Sequence, residues 1–111
     1  MRAVDTSKTE QNVFRAIADP TRRELIHLLA EAEELPLHAM TTRFHMGRTA
    51  VSKHLGVLRD AGLVVDRTVG RETRYLLNPA PLRQVYDWIS VYEKFWATRL
   101  AALHQLLEED K

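Results

Sequence analysis

The stretch RTAVSKHLGVLRDAGLV, residues 48–64, decides the fold. Val51, Leu55 and Leu58 recur at i, i+4 and i+7, the spacing that lines one face of a helix. The other face then carries Arg48, Thr49, Ser52, Lys53, Gly56 and Asp60. Basic and hydroxyl side chains gathered around the first turns of a helix suit either water or a polyanion. Gly62, just past Ala61, is the expected C-terminal stop.

Working outward, the residues from Leu37 to Phe44 predict a short helix, apolar at Leu37, Met40 and Phe44. Only His45-Met46-Gly47 separates it from the opening stretch, with Gly47 expected at the cap. A short helix, a brief Gly-containing connection and a second amphipathic helix form the helix-turn-helix pattern, here over about 37–61. Further upstream, residues 7–18 read as a helix with Val13, Phe14, Ile17 and Ala18 on one face. It stops at Asp19-Pro20, because the residue before proline is biased away from the helical region. Pro20 fits the first turn of the next helix and Asp19 its cap, while Leu25, Ile26, Leu28 and Leu29 point inward.

Downstream, LVVDRTVGRETRYLLN alternates on both sides of Gly70-Arg71, which predicts a β-hairpin wing over about 63–77. Asn78-Pro79-Ala80-Pro81 separates it from a long last helix over about 82–108, roughly 40 Å at 1.5 Å per residue. Leu82, Val85, Ile89, Tyr92, Trp96, Leu103 and Leu106 follow a 3–4 spacing, and Trp88, Phe95, Leu100 and Leu107 widen the stripe. So wide an apolar face implies two partners, the domain's own core and a second subunit. The expected architecture is one winged helix-turn-helix domain over 1–111, mainly α with a small β-hairpin. Its order is four helices, two strands and a last helix, and it is dimeric through its terminal helices. Phe14, Trp88, Tyr92, Phe95, Trp96 and Leu103 are the expected dimer interface; the alternative is that the aromatics are ordinary core.

The 111 residues are 45% hydrophobic and 28% charged, an ordinary globular balance. No apolar run approaches the roughly 18 residues of a membrane span, and MRAVDTSKTEQN has no signal-peptide core. The expectation is therefore a cytoplasmic protein with no membrane partner. The absence of cysteine excludes disulfides, a thiolate nucleophile and thiolate metal sites. Net charge is only +1, but residues 43–74 carry seven bases against three acids, a local +4. Such a basic stripe in a nearly neutral chain is the footprint of nucleic-acid binding. DNA's major groove admits one helix, whose N-terminal side chains reach base edges. Arg48 is placed for a bidentate contact to guanine, Thr49, Ser52 and Lys53 for bases or phosphates. The wing would set Arg67, Arg71 and Arg74 beside the flanking backbone or minor groove, positioning rather than specifying.

Three stretches carry a family resemblance: FRAIADPTRRELIHLL at 14–29, TAVSKHLGVLRDAGLV at 49–64 and DRTVGRETRYLLNP at 66–79. The chain resembles the ArsR/SmtB family of bacterial winged-helix transcriptional repressors over nearly its full length. The resemblance implies a homodimer that pairs its terminal helices and represses by occupying an operator. Many members sense metals, one site lying on a Glu-Leu-Cys-x-Cys segment. Here that segment is Glu34-Leu35-Pro36-Leu37-His38, with Pro36 and His38 in the cysteine positions. The positions matching a second family site are Pro79, Pro81, Tyr92 and Phe95, none suited to ligation. His27, His38, His45, His54 and His104 share no ligand-like spacing; His27 is expected to be partly buried, the others solvated or close to DNA. No metal and no cofactor are expected. Tyr92-x-x-Phe95-Trp96-x-x-Arg99-Leu100-x-x-Leu103 resembles a metal-free subgroup of the family. The same aromatics leave open a pocket for an apolar small-molecule effector that changes the dimer angle.

Two other function classes compete. An enzyme needs convergent catalytic groups or a Gly-rich phosphate loop, and Gly47, Gly56, Gly62 and Gly70 are scattered singly, so no enzyme is expected. A winged-helix module that binds a protein partner tends to lose its basic wing, which this chain keeps. The expected function is a dimeric DNA-binding regulator on a pseudo-palindromic operator, its half-sites about one helical turn or a small multiple apart.

Overall fold

A computed structural model describes residues 12–109. The described part of α1 covers 12–16, and the remainder of the expected first helix before residue 12 lies outside the described residues. Then follow α2 (Pro20–Glu31), β1 (Leu35–Pro36), α3 (Leu37–Phe44), α4 (Arg48–Asp60), β2 (Val64–Val69), β3 (Glu72–Leu77), α5 (Leu82–Ser90) and α6 (Glu93–Glu109). The mainly helical winged helix-turn-helix expected from the sequence is what the chain adopts.

The Asp19-Pro20-Thr21-Arg22-Arg23 segment is a joint between α1 and α2. Asp19 caps α2 by accepting from the backbone N–H of Arg22 at 3.1 Å. Arg22 and Arg23 turn back onto the carbonyls that end α1: Arg22 Nε donates to Ala16 O at 2.7 Å, and Arg23 Nη1 to Ile17 O at 2.8 Å. Helix α1 therefore stops at residue 16, two residues before the expected end, because side chains take over its terminal acceptors. The Asp19 carboxyl is held below its ordinary value, chiefly by the hydrogen bond from the Arg22 amide. A folded value below the unfolded one means this stabilisation is complete above the ordinary carboxylate range and disappears as pH falls through the folded value. Asp19→Ala is expected to lower the melting temperature by a few degrees at neutral pH, with the difference vanishing in acid. A thermal melt of both proteins across that pH range checks it.

Helix α4 ends as the sequence predicts. Gly62 takes φ +79°, its N–H reaches Arg59 O at 2.9 Å, and the N–H of Leu63 reaches Leu58 O at 2.9 Å, a Schellman stop. Gly70 takes φ +66° at the first position of the two-residue wing turn, where a side chain would be strained. The left-handed residue of the helix-turn-helix connection, however, is His45 at φ 54°, which closes α3, whereas Gly47 is extended and caps α4.

The sheet is antiparallel with order β1-β3-β2. Strand β1, unexpected from the sequence, pairs Leu35 with Tyr75 and Pro36 with Arg74. Two residues cannot show a periodicity, and proline is tolerated there because the strand is an edge. In the hairpin, Val64 faces Leu77 and Val69 faces Glu72, which leaves Gly70-Arg71 as the turn.

The core unites Val13 and Ala16 of α1, Leu25, Ile26 and Leu29 of α2, Met40 of α3, Val51, Leu55 and Leu58 of α4, then Ala61, Leu63 and Val64. Ala16 is buried in place of Ala18, which lies beyond the end of α1 and is exposed. His27 is exposed rather than partly buried, since it sits on the outer side of α2.

The last helix is not continuous. It breaks at Val91-Tyr92 into α5 and α6. There the Ser90 hydroxyl donates to Asp87 O at 2.9 Å and the N–H of Tyr92 to Ile89 O at 2.9 Å, short-range bonds that compete with the i→i−4 ladder. Leu82 and Val85 pack on the core, but no residue of α6 is buried. The radius of gyration is accordingly 18.7 Å, against about 13 Å for a compact chain of this length.

Candidate nucleic-acid interface

Packing Val51, Leu55 and Leu58 inward fixes which side of α4 faces out. Arg48, Thr49, Ser52 and Lys53 are all exposed over its first two turns. No side chain caps this N-terminus, so its first amides remain open toward an anion. Across a cleft of about 420 Å³, Arg48 and Ser52 face Arg71 at the wing tip together with Glu72 and Thr73, while His38 of α3 closes one side. Three of the seven expected DNA-binding residues, Arg48, Ser52 and Arg71, thus line one cleft, and Thr49 and Lys53 are exposed on the same two turns of α4.

Arg67 and Arg74 do not. They are directly opposite each other across β2 and β3. Side chains alternate along a strand, so both lie on the sheet face opposite Tyr75 and Leu77, which pack against the core. There they close on Glu34. Arg67 Nε and Nη2 donate to Glu34 Oε2 and Oε1 at 2.9 and 3.0 Å, and Arg74 Nη1 donates to Oε1 at 3.4 Å. The Arg67 hydrogen bond is the chief cause that holds the Glu34 carboxyl below its ordinary value, and it raises Arg67 in turn. Arg59 is likewise paired, with Asp66 at 2.9 Å. Among the described residues Arg48, Lys53 and Arg71 carry no ion pair.

Sequence reading did not find Glu34, Glu72 or Thr73 as parts of this region, and gave His38 only as solvated or close to DNA. A signal for Glu34 existed: a turn at Gly70-Arg71 sets Arg67 opposite Arg74, and like charges facing each other across strands call for an acid. His54, expected to be solvated or close to DNA, is instead half-buried, with Nδ1 3.2 Å from Arg22 Nη1. That contact ties the α1–α2 joint to the middle of α4.

Four of the six expected dimer residues form a continuous ladder. Phe14 and Trp88 meet edge to face at 5.7 Å, Trp88 and Tyr92 at 5.7 Å, and Tyr92 stacks on Trp96 at 6.3 Å. Phe14 is half-buried, and Trp88, Tyr92, Phe95, Trp96 and Leu103 are between 41% and 56% exposed. These aromatics are therefore not ordinary core of this chain.

Many members of the family that the sequence resembles sense metals, and the residues at the segment Glu34–His38 do not fit such a site. Glu34 is occupied by two arginines, Pro36 has no donor, and His38 lies 3.9 Å from Glu72 with no further ligand. Among the described residues no group of three or more His, Asp or Glu side chains is placed to hold an ion, and the sequence has no thiolate for a thiophilic one.

Comparison with known proteins supports the winged helix-turn-helix reading. A helix-turn-helix domain family matches residues 17–67. An HTH-type transcriptional regulator of Mycobacterium tuberculosis is 31% identical over 107 residues, 96% of each chain. The arsenical resistance operon repressor of Escherichia coli is 36% identical over 67 residues, 60% of this chain and 57% of that protein. An ArsR-like transcriptional regulator from Rhodococcus sp. RHA1 superposes with a TM-score of 0.72 at 34% identity, covering 97% of this chain and 98% of its own. A homodimeric winged helix-turn-helix DNA-binding domain from Mycobacterium bovis superposes with a TM-score of 0.67 at 25% identity, covering 84% and 85%.

Proposed function

Because the chain belongs to the ArsR family of winged helix-turn-helix transcriptional regulators, we propose that it binds double-stranded DNA as a homodimer and represses transcription from a pseudo-palindromic operator. The observation that carries this reading is the cleft that Arg48 and Ser52 of α4 line with Arg71 of the wing, Thr49 and Lys53 being exposed on the same turns of α4. Helix α4 enters the major groove by its N-terminal turns. Arg48 reads a base edge, Thr49 and Ser52 offer hydroxyls, and Lys53 and Arg71 meet phosphates. The open amides at the start of α4 add a favourable field for a phosphate. Two copies joined through the aromatic ladder present two such helices, so half-sites lie about one helical turn, or a small multiple, apart.

The donor chemistry of Glu34, Pro36 and His38 supports regulation that does not depend on a metal or on arsenic at that position. The four glycines stand singly, and no phosphate loop is built, which fits a binding protein rather than a catalyst. No described helix is long and apolar enough to cross a membrane.

Fluorescence anisotropy on a fragment of the gene's own upstream region, with random duplex as competitor, tests the reading. With roughly 6–10 phosphate contacts per dimer, affinity is expected to fall about 10³–10⁵-fold between 50 and 200 mM salt. Arg48→Ala is expected to relax preference at one base pair per half-site by about 1–3 kcal/mol while leaving the salt slope nearly unchanged. Salt-independent binding, or none to either duplex, would reassign this surface to a protein partner.

A further inference from the structure

We propose that Glu34 is a specificity-determining residue: it withholds Arg67 and Arg74 from DNA and so limits the protein's grip on phosphates of any sequence. The inference rests on the DNA-binding reading above. Its physical basis is the arrangement on the outer face of the wing. Both carboxylate oxygens of Glu34 are engaged, and its contact with Arg67 is the two-pronged guanidinium–carboxylate geometry that is strongest among such pairs. The Glu34 side chain is only 14% exposed while that of Arg67 is 62% exposed, so the acid is fixed below and the base lies over it at the surface. The backbone sets the acid's position, because Glu34 immediately precedes β1, whose Leu35 and Pro36 pair with Tyr75 and Arg74.

Glu72 completes the patch, its Oε2 lying 3.6 Å from Arg74 Nε, a buried nitrogen with no hydrogen-bond acceptor. Glu33 lines the same patch, so three acids stand with two bases and the patch carries no net positive charge inside the most basic part of the chain. Arg67 and Arg74 each sit three residues from the turn Gly70-Arg71, about 10 Å along a strand. At that distance a freed arginine reaches toward phosphates beside those met by the wing tip. Contacts of this kind carry no sequence information; they raise affinity for every duplex and lower the ratio of operator to random binding. The clamp leaves Arg48, Lys53 and Arg71, which face the operator, to supply the charge.

The test measures salt dependence of binding to operator fragment and random duplex for the full chain, Glu34→Gln and the triple variant E34Q/R67Q/R74Q. Glutamine keeps the shape of Glu34 but not its charge. Freeing one phosphate contact per protomer is expected to steepen the slope of log K against log salt by about 1.8. The loss between 50 and 200 mM salt then grows by about a further tenfold, and random duplex gains more than operator in relative terms. The triple variant is expected to return to the wild-type slope. Glu34→Asp, which keeps the charge but shortens the reach, guards against a folding defect in the first variant and is expected to steepen the slope less. A wild-type slope in both Glu34→Gln and Glu34→Asp overturns the proposal. So does a steeper slope that survives removal of both arginines, since the charge of Glu34 alone would then be responsible. Wild-type protein that binds neither duplex sinks the DNA reading itself and this inference with it, and is told apart because the variants then have nothing to change.

Discussion

Trp96→Glu is expected to turn the dimer into a monomer and to cost about 10²–10⁴-fold in operator affinity. Trp96 is 46% exposed on α6, a helix with no buried residue, and it stacks on Tyr92 at the end of the aromatic ladder. A row of Phe14, Trp88, Tyr92 and Trp96 left in water is costly, and in the proposed homodimer a second copy of the same row would cover it, a gain of roughly 25 cal/mol per Å². A glutamate in that seam would have to shed its hydration without a partner. The affinity loss follows from bivalency: the second half-site is bound at an effective concentration in the millimolar range only while the two recognition helices are joined. Sedimentation and anisotropy read the two effects separately. The melting temperature should rise with concentration for the wild type and not for the variant, since dimer formation contributes to stability by mass action. A variant that sediments as a dimer would move the seam away from α6.

Leu58→Ala is the second large effect, and it acts on folding rather than assembly. Leu58 is fully buried at the last turn of α4, and its carbonyl accepts the Leu63 N–H that ends the helix. Truncating a leucine in such a site removes transfer energy and leaves a cavity, together about 2–5 kcal/mol. Against a typical stability of about 5–15 kcal/mol that is a large share. Denaturant unfolding of both proteins at one concentration measures it. The folded fraction should keep its base preference, because Arg48 and Ser52 are exposed on the first two turns of α4 and Leu58 is buried in its last. A loss under 1 kcal/mol would mean that Leu58 does not hold α4 against the core.

Local features were readable wherever one residue type answers one physical demand. Gly62 and Gly70 occupy the two positive-φ positions that stop α4 and turn the wing. Asp19 caps α2, and the i, i+4, i+7 row of α4 is buried in full. The last helix was read as one piece because apolar spacing runs from Ile89 through Tyr92 to Trp96 without a break, while the interruption coincides with a Ser90 hydroxyl bonded to the Asp87 carbonyl, a contact that spacing does not show. Strand β1 left no trace in the sequence, being too short for a pattern and made by pairing with residues about 40 positions away.

The charges show the division most clearly. By itself the sequence determined the helix-turn-helix, the wing and the basic stretch from Arg43 to Arg74, since each rests on neighbours within a few residues. Only the tertiary structure decided which of those bases are free. Arg67 and Arg74 look equivalent to Arg71 along the chain, yet they face the other side of the sheet, where Glu34 arrives from 33 positions away. A charge acts through the distance to its nearest counter-charge, and that distance is fixed by strand register and packing, not by spacing in the sequence.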